Sequence, residues 1–481
     1  MSRSQSARFS YATTDGQMMA KEEIIDLMVD TSGDTVDWLY SHGRRYDNFR
    51  EDNAGSTIER GSDKTGFNQI LTTNVDPGTY EDRRCAVDKL YKSLLAQVQA
   101  IGGKVMLETE GYGLILDGDR IVGINARSRV TGQEYVTNAK AVIMNTGGFS
   151  SNDEMMNTLL DERYHGHYKK LSFGMDTGLM FQAALDAGAG TFNLGMTPIA
   201  MHSGTDHWIS MYPIQTMDDH LQARTGRFEV VTLNNIPLGI GCLRDAIFVD
   251  KDAQRWINEP TMGVLNHWQC GACFYSIVGD EQLSTIANEG FVNLGMLDGY
   301  NSQGKLPRET PVPEVYECLD YCVEEGIAFK GDSIAELAER VGLDPAALEE
   351  TVARYNGFCE AGADDDFGKD PQFLHPVATP PFYAVQMFTA TFGTVGGLDV
   401  DTQIHVLKQD GEPFEGLYAI GLDSFGVLHN PNGGYYGGGL AQGWLQTAGR
   451  LASNDAVDYI EQNFGFAEVS PVKYLEIPSS F

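Results

Sequence analysis

GGYYGGGLAQGWLQTAGR, Gly433 to Arg450, is the stretch that decides the reading of this chain. Gly437, Gly438 and Gly439 stand directly before Leu440, Leu445, Ala448 and Leu451, an apolar spacing that predicts a helix. A glycine run entering a helix leaves backbone N–H groups free at its first turn. Those donors, with the helix dipole, favour a ligand carrying negative charge. Glycine also lets a flat ring approach the backbone closely. The plain alternative is a glycine-rich loop closing an ordinary buried helix.

Two further stretches keep it company. GLYAIGLDSFG, Gly416 to Gly426, reads as a short strand, Leu417 to Ile420, ending in Gly421 and Asp423. AVIMNTGGFSSN, Ala141 to Asn152, reads as a buried strand running into Thr146, Gly147 and Gly148. Together with the glycine-led helix these resemble the fumarate reductase and ketosteroid dehydrogenase flavoproteins, which have an ATGGF-like strand end, a GLYAAGE-like strand end and a glycine-led final helix in that order. DTVDWLYSHG (Asp34 to Gly43) and AIFVDKDAQRWINE (Ala246 to Glu259) extend the resemblance over most of the chain.

The resemblance implies an α/β fold, a Rossmann-like but incomplete FAD-binding domain carrying an inserted α+β cap domain. It places the first part of the FAD domain at 1–198, the substrate cap at 199–392 and the second part at 393–481. It implies FAD as cofactor, with Ser6, Glu110, Gly111, Thr146, Gly147, Gly148, Thr177, Gly421, Asp423, Gly438, Gly439, Leu440 and Ala441 as its binding positions. In that family a glycine–serine segment wraps the pyrophosphate; Ser6 holds the serine position, while the two glycines after it are Ala7 and Arg8 here. Where the family often has TGDG, this chain has Met175-Asp176-Thr177-Gly178.

Composition sets outer bounds. The 481 residues suffice for two or three domains. Acidic residues outnumber basic ones, 67 to 34, for a net charge of −33, which repels phosphate backbones and argues against nucleic acid as a partner. No apolar run is long enough to span a bilayer, and MSRSQSARFSYATTDG lacks an apolar signal core, so the expected location is cytoplasmic unless an export signal precedes Met1. The seven cysteines do not read as a secreted disulfide framework. Cys270, Cys273, Cys318 and Cys322 could offer four thiolates to a metal or pack as small apolar residues; the second reading is adopted and no metal site is expected.

Along the chain, Gln17 to His42 reads as helix with a break at Ser32-Gly33, and Cys85 to Ile101 as a second amphipathic helix. VMLETEGYGLILDGDRIVGINARS alternates like strands joined at Asp117-Gly118-Asp119. A helix follows at Leu179 to Ala187, and Ser333 to Tyr355 reads as a capped helical pair. ALEETVARYNGFCEAGADDDFGK resembles the cap-domain helix and acidic loop of the family, and the insertion is expected to be a mobile cap that excludes water.

No strand–GxGxxG–helix segment occurs. Such a segment normally brings pyrophosphate to a helix N-terminus. The expectation is therefore that these 481 residues alone bind FAD weakly or not at all, and that a βαβ unit is encoded immediately upstream of Met1, in frame or as a separate small protein.

Fumarate reductases clamp two carboxylates with Arg, His and a Thr-Glu pair, and the resemblance assigns those positions here. The proton-donating arginine corresponds to Gly263, the Thr-Glu pair to Leu238 and Gly239, the late histidine to Phe392 or Gly393, and the final-loop arginine to Tyr436. A site stripped of cations leaves two desolvated carboxylates without partners, so a fumarate-type substrate is rejected. Tyr436 followed by glycines resembles the ketosteroid dehydrogenase version of this loop, where a tyrosine polarises a ketone; it could equally pack on the flavin, as could Tyr435. His202 and His207 lie near the early substrate histidine of the family, and Tyr275 lies where the cap strand returns. The expected activity is hydride transfer between flavin and a carbon–carbon bond conjugated to a carbonyl, with Tyr436, His202 and Tyr275 as catalytic candidates. The substrate is expected to be uncharged, aromatic or steroid-like. The reading leaves the electron-transfer partner unnamed and allows a homo-oligomer. The alternative is an accessory protein that keeps the fold without productive flavin.

Overall fold

The computed structural model describes residues 20–42, 92, 94–170, 174–203, 236, 237, 239–262, 267–293, 311–429 and 440–465. Ser6, Cys85, His207, Leu238, Gly263 and the glycine loop with Tyr435, Tyr436, Gly438 and Gly439 lie outside the described residues.

The chain opens on α1 (Glu22–Ser41). It continues unbroken through Gly33, where the sequence suggests an interruption. Thr31 and Thr35 bond back to the carbonyls of Leu27 and Thr31, and Ile24, Ile25 and Met28 bury one face, so packing outweighs the cost of a mid-helix glycine.

A three-stranded meander follows: β1 (Thr109–Asp117), β2 (Arg120–Ser128) and β3 (Glu134–Asn138). Its first turn falls where expected, with Asp117 opposite Arg120 and Gly118 at φ +65°. β4 (Val142–Met144) comes next, then α2 (Asp153–Leu159), β5 (Lys169–Lys170), α3 (Leu179–Asp186), β6 (Thr191–Phe192) and β7 (Ile199–Ser203). The middle of the chain contributes β8 (Ile247–Val249), β9 (Cys273–Val278), α4 (Asp280–Glu289), α5 (Val315–Glu324), β10 (Ala328–Gly331), α6 (Ile334–Val341) and α7 (Pro345–Ala361). It closes with the long β11 (Phe382–Gly393), then β12 (Gly397–Leu398), β13 (His405–Leu407), β14 (Pro413–Ala419) and α8 (Leu440–Phe464).

Among the described residues two larger sheets form. The first runs β1-β2-β14-β13, with β3 beside β2 and β4 beside β14. β4 and β14 are parallel, pairing Val142 with Leu417 and Met144 with Ala419, so their C-terminal ends open side by side. The expected buried strand is only partly so, since Ile143 turns outward and is 37% exposed. The second sheet runs β10-β11-β9-β8, with β5 and β7 both on β11. It therefore takes in Lys169 and Lys170, which precede residue 199.

The capped helical pair is present as expected. Ser333 accepts from Glu336 N at the start of α6, Gly342 ends it in the left-handed region, and Asp344 caps α7. α6 and α7 cover one face of the second sheet through a cluster of Leu337, Leu348, Val352, Tyr355 and Ile277. A larger cluster is continuous between the two sheets, from Ile121 and Leu417 to Met387 and Phe274. Cys270, Cys318 and Cys322 are buried within it. Burial pushes the Cys270 thiol up to about 12, in spite of its contact with Thr389.

The two motifs quoted from the middle of the chain meet in one buried ion cluster. Arg255 grips Glu259 through Nε and Nη2, both at 2.9 Å, and Asp364 through Nη2 at 2.9 Å. The Lys369 ammonium, fully buried, donates to Ala246 O at 2.8 Å and to the Tyr355 hydroxyl at 3.0 Å, with Glu259 at 3.4 Å. Burial lowers its pKa and Glu259 opposes that shift. RWINE and ADDDFGK are thus the two halves of a lock fastening the acidic loop to β8.

Candidate functional site

The C-terminal ends of β4 and β14 and the end of β11 converge. After β4 the chain turns through Thr146, Gly147 and Gly148. Both glycines have left-handed backbone, at φ +86° and +77°. A methyl group on Gly148 would overlap the Thr394 hydroxyl, so the turn admits no side chain there. After β14, Gly421 is at φ +60°, and a methyl group on it would sit 2.8 Å from Asn145 Oδ1 and 3.1 Å from the Leu445 side chain of α8.

Asp423 binds these ends together. It is fully buried, and its carboxylate accepts from the backbone N–H of Thr146, from the Thr146 hydroxyl at 3.0 Å and from Gly148 N at 3.0 Å. Burial pushes its pKa up, while the N–H groups of Thr146, Gly148 and Gly147 pull it back. Beside it, Ser424 donates to Ala419 O and accepts from Trp444 Nε1 at 3.2 Å, which fixes the first turns of α8. Leu440 is buried at the start of that helix and Ala441 is half-buried beside it.

A second loop packs on the same turn. The Ser151 hydroxyl donates to Asp176 Oδ1 at 2.7 Å, Ser150 donates to the other oxygen, and Ser151 N donates to Asp176 O. Asn152 Nδ2 holds the Thr177 carbonyl at 3.0 Å, and Gly178, at φ +76°, begins α3. α3 lies on β1, where Gly111 leaves no spare room over Met180. Glu110 on the same strand pairs with Arg127 at 2.9 Å. The described flavin positions of the sequence analysis, Glu110, Gly111, Thr146, Gly147, Gly148, Thr177, Gly421, Asp423, Leu440 and Ala441, thus fall on elements packed around one set of strand ends.

The catalytic candidates fare differently. His202 lies on β7 with its backbone opposite Thr389 of β11. Tyr275 lies on β9, in the cluster facing α6 and α7, with its ring 6.4 Å from Phe329 and its hydroxyl 3.2 Å from Gln386 Nε2. Burial raises its pKa. Tyr436 falls outside the described residues.

Sequence reasoning missed three features. Asp176 anchors the loop before α3 by accepting from Ser150 and Ser151. His429, just before the glycine loop, is fully buried, and burial pushes its pKa down to about 4, so it is neutral. Asn193 Nδ2 holds its carbonyl at 2.7 Å. His405 on β13 bridges Asp401 at 3.0 Å and Asp455 of α8 at 2.8 Å, with the Tyr418 hydroxyl also on Asp455. The i,i+4 spacing of Asp401 and His405 was the one local signal for any of these.

Tight glycines at two strand ends, an exposed polar rim at Asn145 and Thr146, and a helix entered from a glycine run fit a large planar cofactor with anionic groups. The comparisons agree. The FAD binding domain family model matches residues 1–439, and the chain belongs to that family. Its fold is α/β, its cofactor is FAD, and it is an FAD-dependent oxidoreductase. It is 28% identical over 447 residues to vinyl phenol reductase of Lactiplantibacillus plantarum, covering 90% of this chain and 80% of that one. To NADH:acrylate oxidoreductase of Vibrio harveyi it is 26% identical over 382 residues, covering 78% of this chain but spanning 32% of that protein's length. The structure of the 3-ketosteroid-Δ4-(5α)-dehydrogenase of Rhodococcus jostii RHA1 superposes with a TM-score of 0.59 at 20% identity, over 94% of this chain and 83% of that one, and so shares the fold. Among the described residues no helix is long and apolar enough to cross a membrane.

Proposed function

We propose that this protein reduces or forms a carbon–carbon double bond conjugated to a carbonyl or an equivalent electron sink, on an uncharged substrate. What supports this is that the resemblance puts uncharged residues, Leu238, Gly239, Gly263, Phe392 or Gly393, and Tyr436, at the charged clamp positions it assigns, leaving only His202 or His207 near the early histidine. A carboxylate buried without a cation costs several kcal/mol, roughly, so such a site discriminates against diacids. The names of two relatives support the reading. Vinyl phenol and acrylate each carry a conjugated vinyl group and neither is a dicarboxylate; of the two only vinyl phenol is uncharged.

FAD, when bound, supplies hydride chemistry at its ring nitrogen N5. The Thr146–Gly148 turn, Gly421 and the first turn of α8 hold and orient the cofactor, and Asp423 keeps the two strand ends in register. The Tyr436 hydroxyl polarises the substrate carbonyl or holds the proton that reaches the α-carbon. An ordinary phenol has a pKa of about 10, so the acid role suits it better than the base role at neutral pH. His202 is the second proton-handling group, since β7 carries it opposite Thr389 of β11, the strand that ends at Gly393. Tyr275 leaves the proposed set because its ring packs towards α6 and α7. The insertion 199–392 is taken as the cap over the substrate. The test is turnover of neutral conjugated alkenes against fumarate with a reduced viologen as donor and FAD in excess. Turnover of fumarate at rates of ordinary enzymes overturns the proposal.

A further inference from the structure

The donors of the Thr146–Gly148 turn are already spent. Thr146 N, the Thr146 hydroxyl and Gly148 N all serve Asp423, and the Gly147 N–H also stabilises its charge. A ligand lying across this strand end therefore finds few backbone donors there. One residue earlier stands Asn145, in the place where an ATGGF-like strand end has alanine. It is exposed, and among the described residues its side-chain amide makes no hydrogen bond. Its position is nevertheless fixed. Oδ1 is the atom nearest the position a side chain on Gly421 would take, at 2.8 Å, and Leu445 borders the same space at 3.1 Å. Gly421 has to be glycine partly because Asn145 fills the space its side chain would take. With Oδ1 turned to Gly421, the Nδ2 group is left to the open side. A carboxamide is thus held between β4, the turn after β14 and the first turns of α8.

We propose that Asn145 is a cofactor-binding residue of this chain, its Nδ2–H donating to an oxygen of FAD. The inference rests on the FAD site described above. Nothing in the fold requires an amide here: alanine would fit, and an exposed asparagine without partners adds little to stability. Its value comes when a ligand supplies the acceptor. Losing one such hydrogen bond and leaving the acceptor dry costs about a factor of ten in affinity. A carboxylate in the same place has no donor and repels the cofactor's diphosphate, for a loss on the order of a hundredfold.

The experiment titrates the purified full-length protein with FAD and follows the quenching of flavin fluorescence, for wild type, Asn145→Ala and Asn145→Asp. Thermal unfolding of each without FAD is recorded beside it. The expected result is a tenfold weaker Kd for Asn145→Ala and a still weaker one for Asn145→Asp, with unfolding unchanged in both. Kd values within twofold of wild type for both variants overturn the assignment while leaving the FAD site standing. A loss of affinity accompanied by an equal loss of stability without FAD also overturns it, since Asn145 then serves the fold. No uptake of FAD by wild type at any concentration overturns the assignment, since Asn145 then has no acceptor to meet.

Discussion

Replacing Asp423 with alanine should loosen the junction on which the cofactor site depends. The carboxylate is fully buried and takes three hydrogen bonds, from Thr146 N, the Thr146 hydroxyl and Gly148 N. Gly148 is buried, so its N–H would be left without water, at about 1–3 kcal/mol. Thr146 is exposed, so its two donors recover water and lose about 0.5–1 kcal/mol each. Removing a carboxylate that burial already disfavours returns part of this. The balance is a loss of about 2–4 kcal/mol, felt locally. Asp423→Asn keeps the shape but sets an NH2 group against one of the donors, and should fall between alanine and wild type. Hydrogen exchange read by mass spectrometry suits a local effect: peptides covering 142–150 and 416–424 should exchange faster, by about 30-fold or more, while 345–361 in α7 is unchanged. FAD affinity should fall with it. Wild-type exchange in both peptides would refute the role given to Asp423.

Other perturbations have equally definite outcomes. Burial disfavours the charged form of His405, but Asp401 and Asp455 outweigh it and raise its pKa above the ordinary 6.5. Its contribution is thus complete below about pH 6.5 and is lost as pH rises through the folded value. The gap in urea midpoint between wild type and His405→Gln should be widest near pH 6 and close towards pH 9; a gap that is constant or grows with pH would contradict the bridge. Arg255→Ala leaves Asp364 buried without its cation and Glu259 with Lys369 alone, and should cost about 3–5 kcal/mol in denaturant unfolding, whereas a loss below 1 kcal/mol would mean the cluster does not hold the acidic loop. Tyr436→Phe should lower kcat by about two to four powers of ten with FAD affinity nearly unchanged; wild-type turnover would make Tyr436 a packing residue.

Local signals carried the fold a long way. The Asp117-Gly118-Asp119 turn and the caps Ser333 and Asp344 are short-range chemistry, and α6 and α7 start where those caps put them, although α7 runs on to Ala361, past the expected Tyr355. Gly33 misled because helix α1 owes its continuity to packing against distant residues, which composition within the helix does not record. The site was legible as a set of glycines and strand ends, since tight turns must be written in glycine. Its bonding was not. Asp423 reads as a polar residue at a strand end, and only the parallel pairing of β4 with β14 shows that its carboxylate is spent on Thr146 and Gly148 across 275 residues of chain. Arg255 and Asp364 likewise lie 109 residues apart, and no spacing rule joins them.

The central claim concerns a flavin site that has lost its dicarboxylate clamp. The most direct measurement reduces the FAD-loaded full-length protein without oxygen and follows flavin absorbance after mixing with fumarate or with a neutral vinyl phenol or enone. The account predicts rapid reoxidation by at least one neutral conjugated alkene and none by fumarate beyond the buffer control. Reoxidation by fumarate, with the neutral alkenes inert, would contradict it.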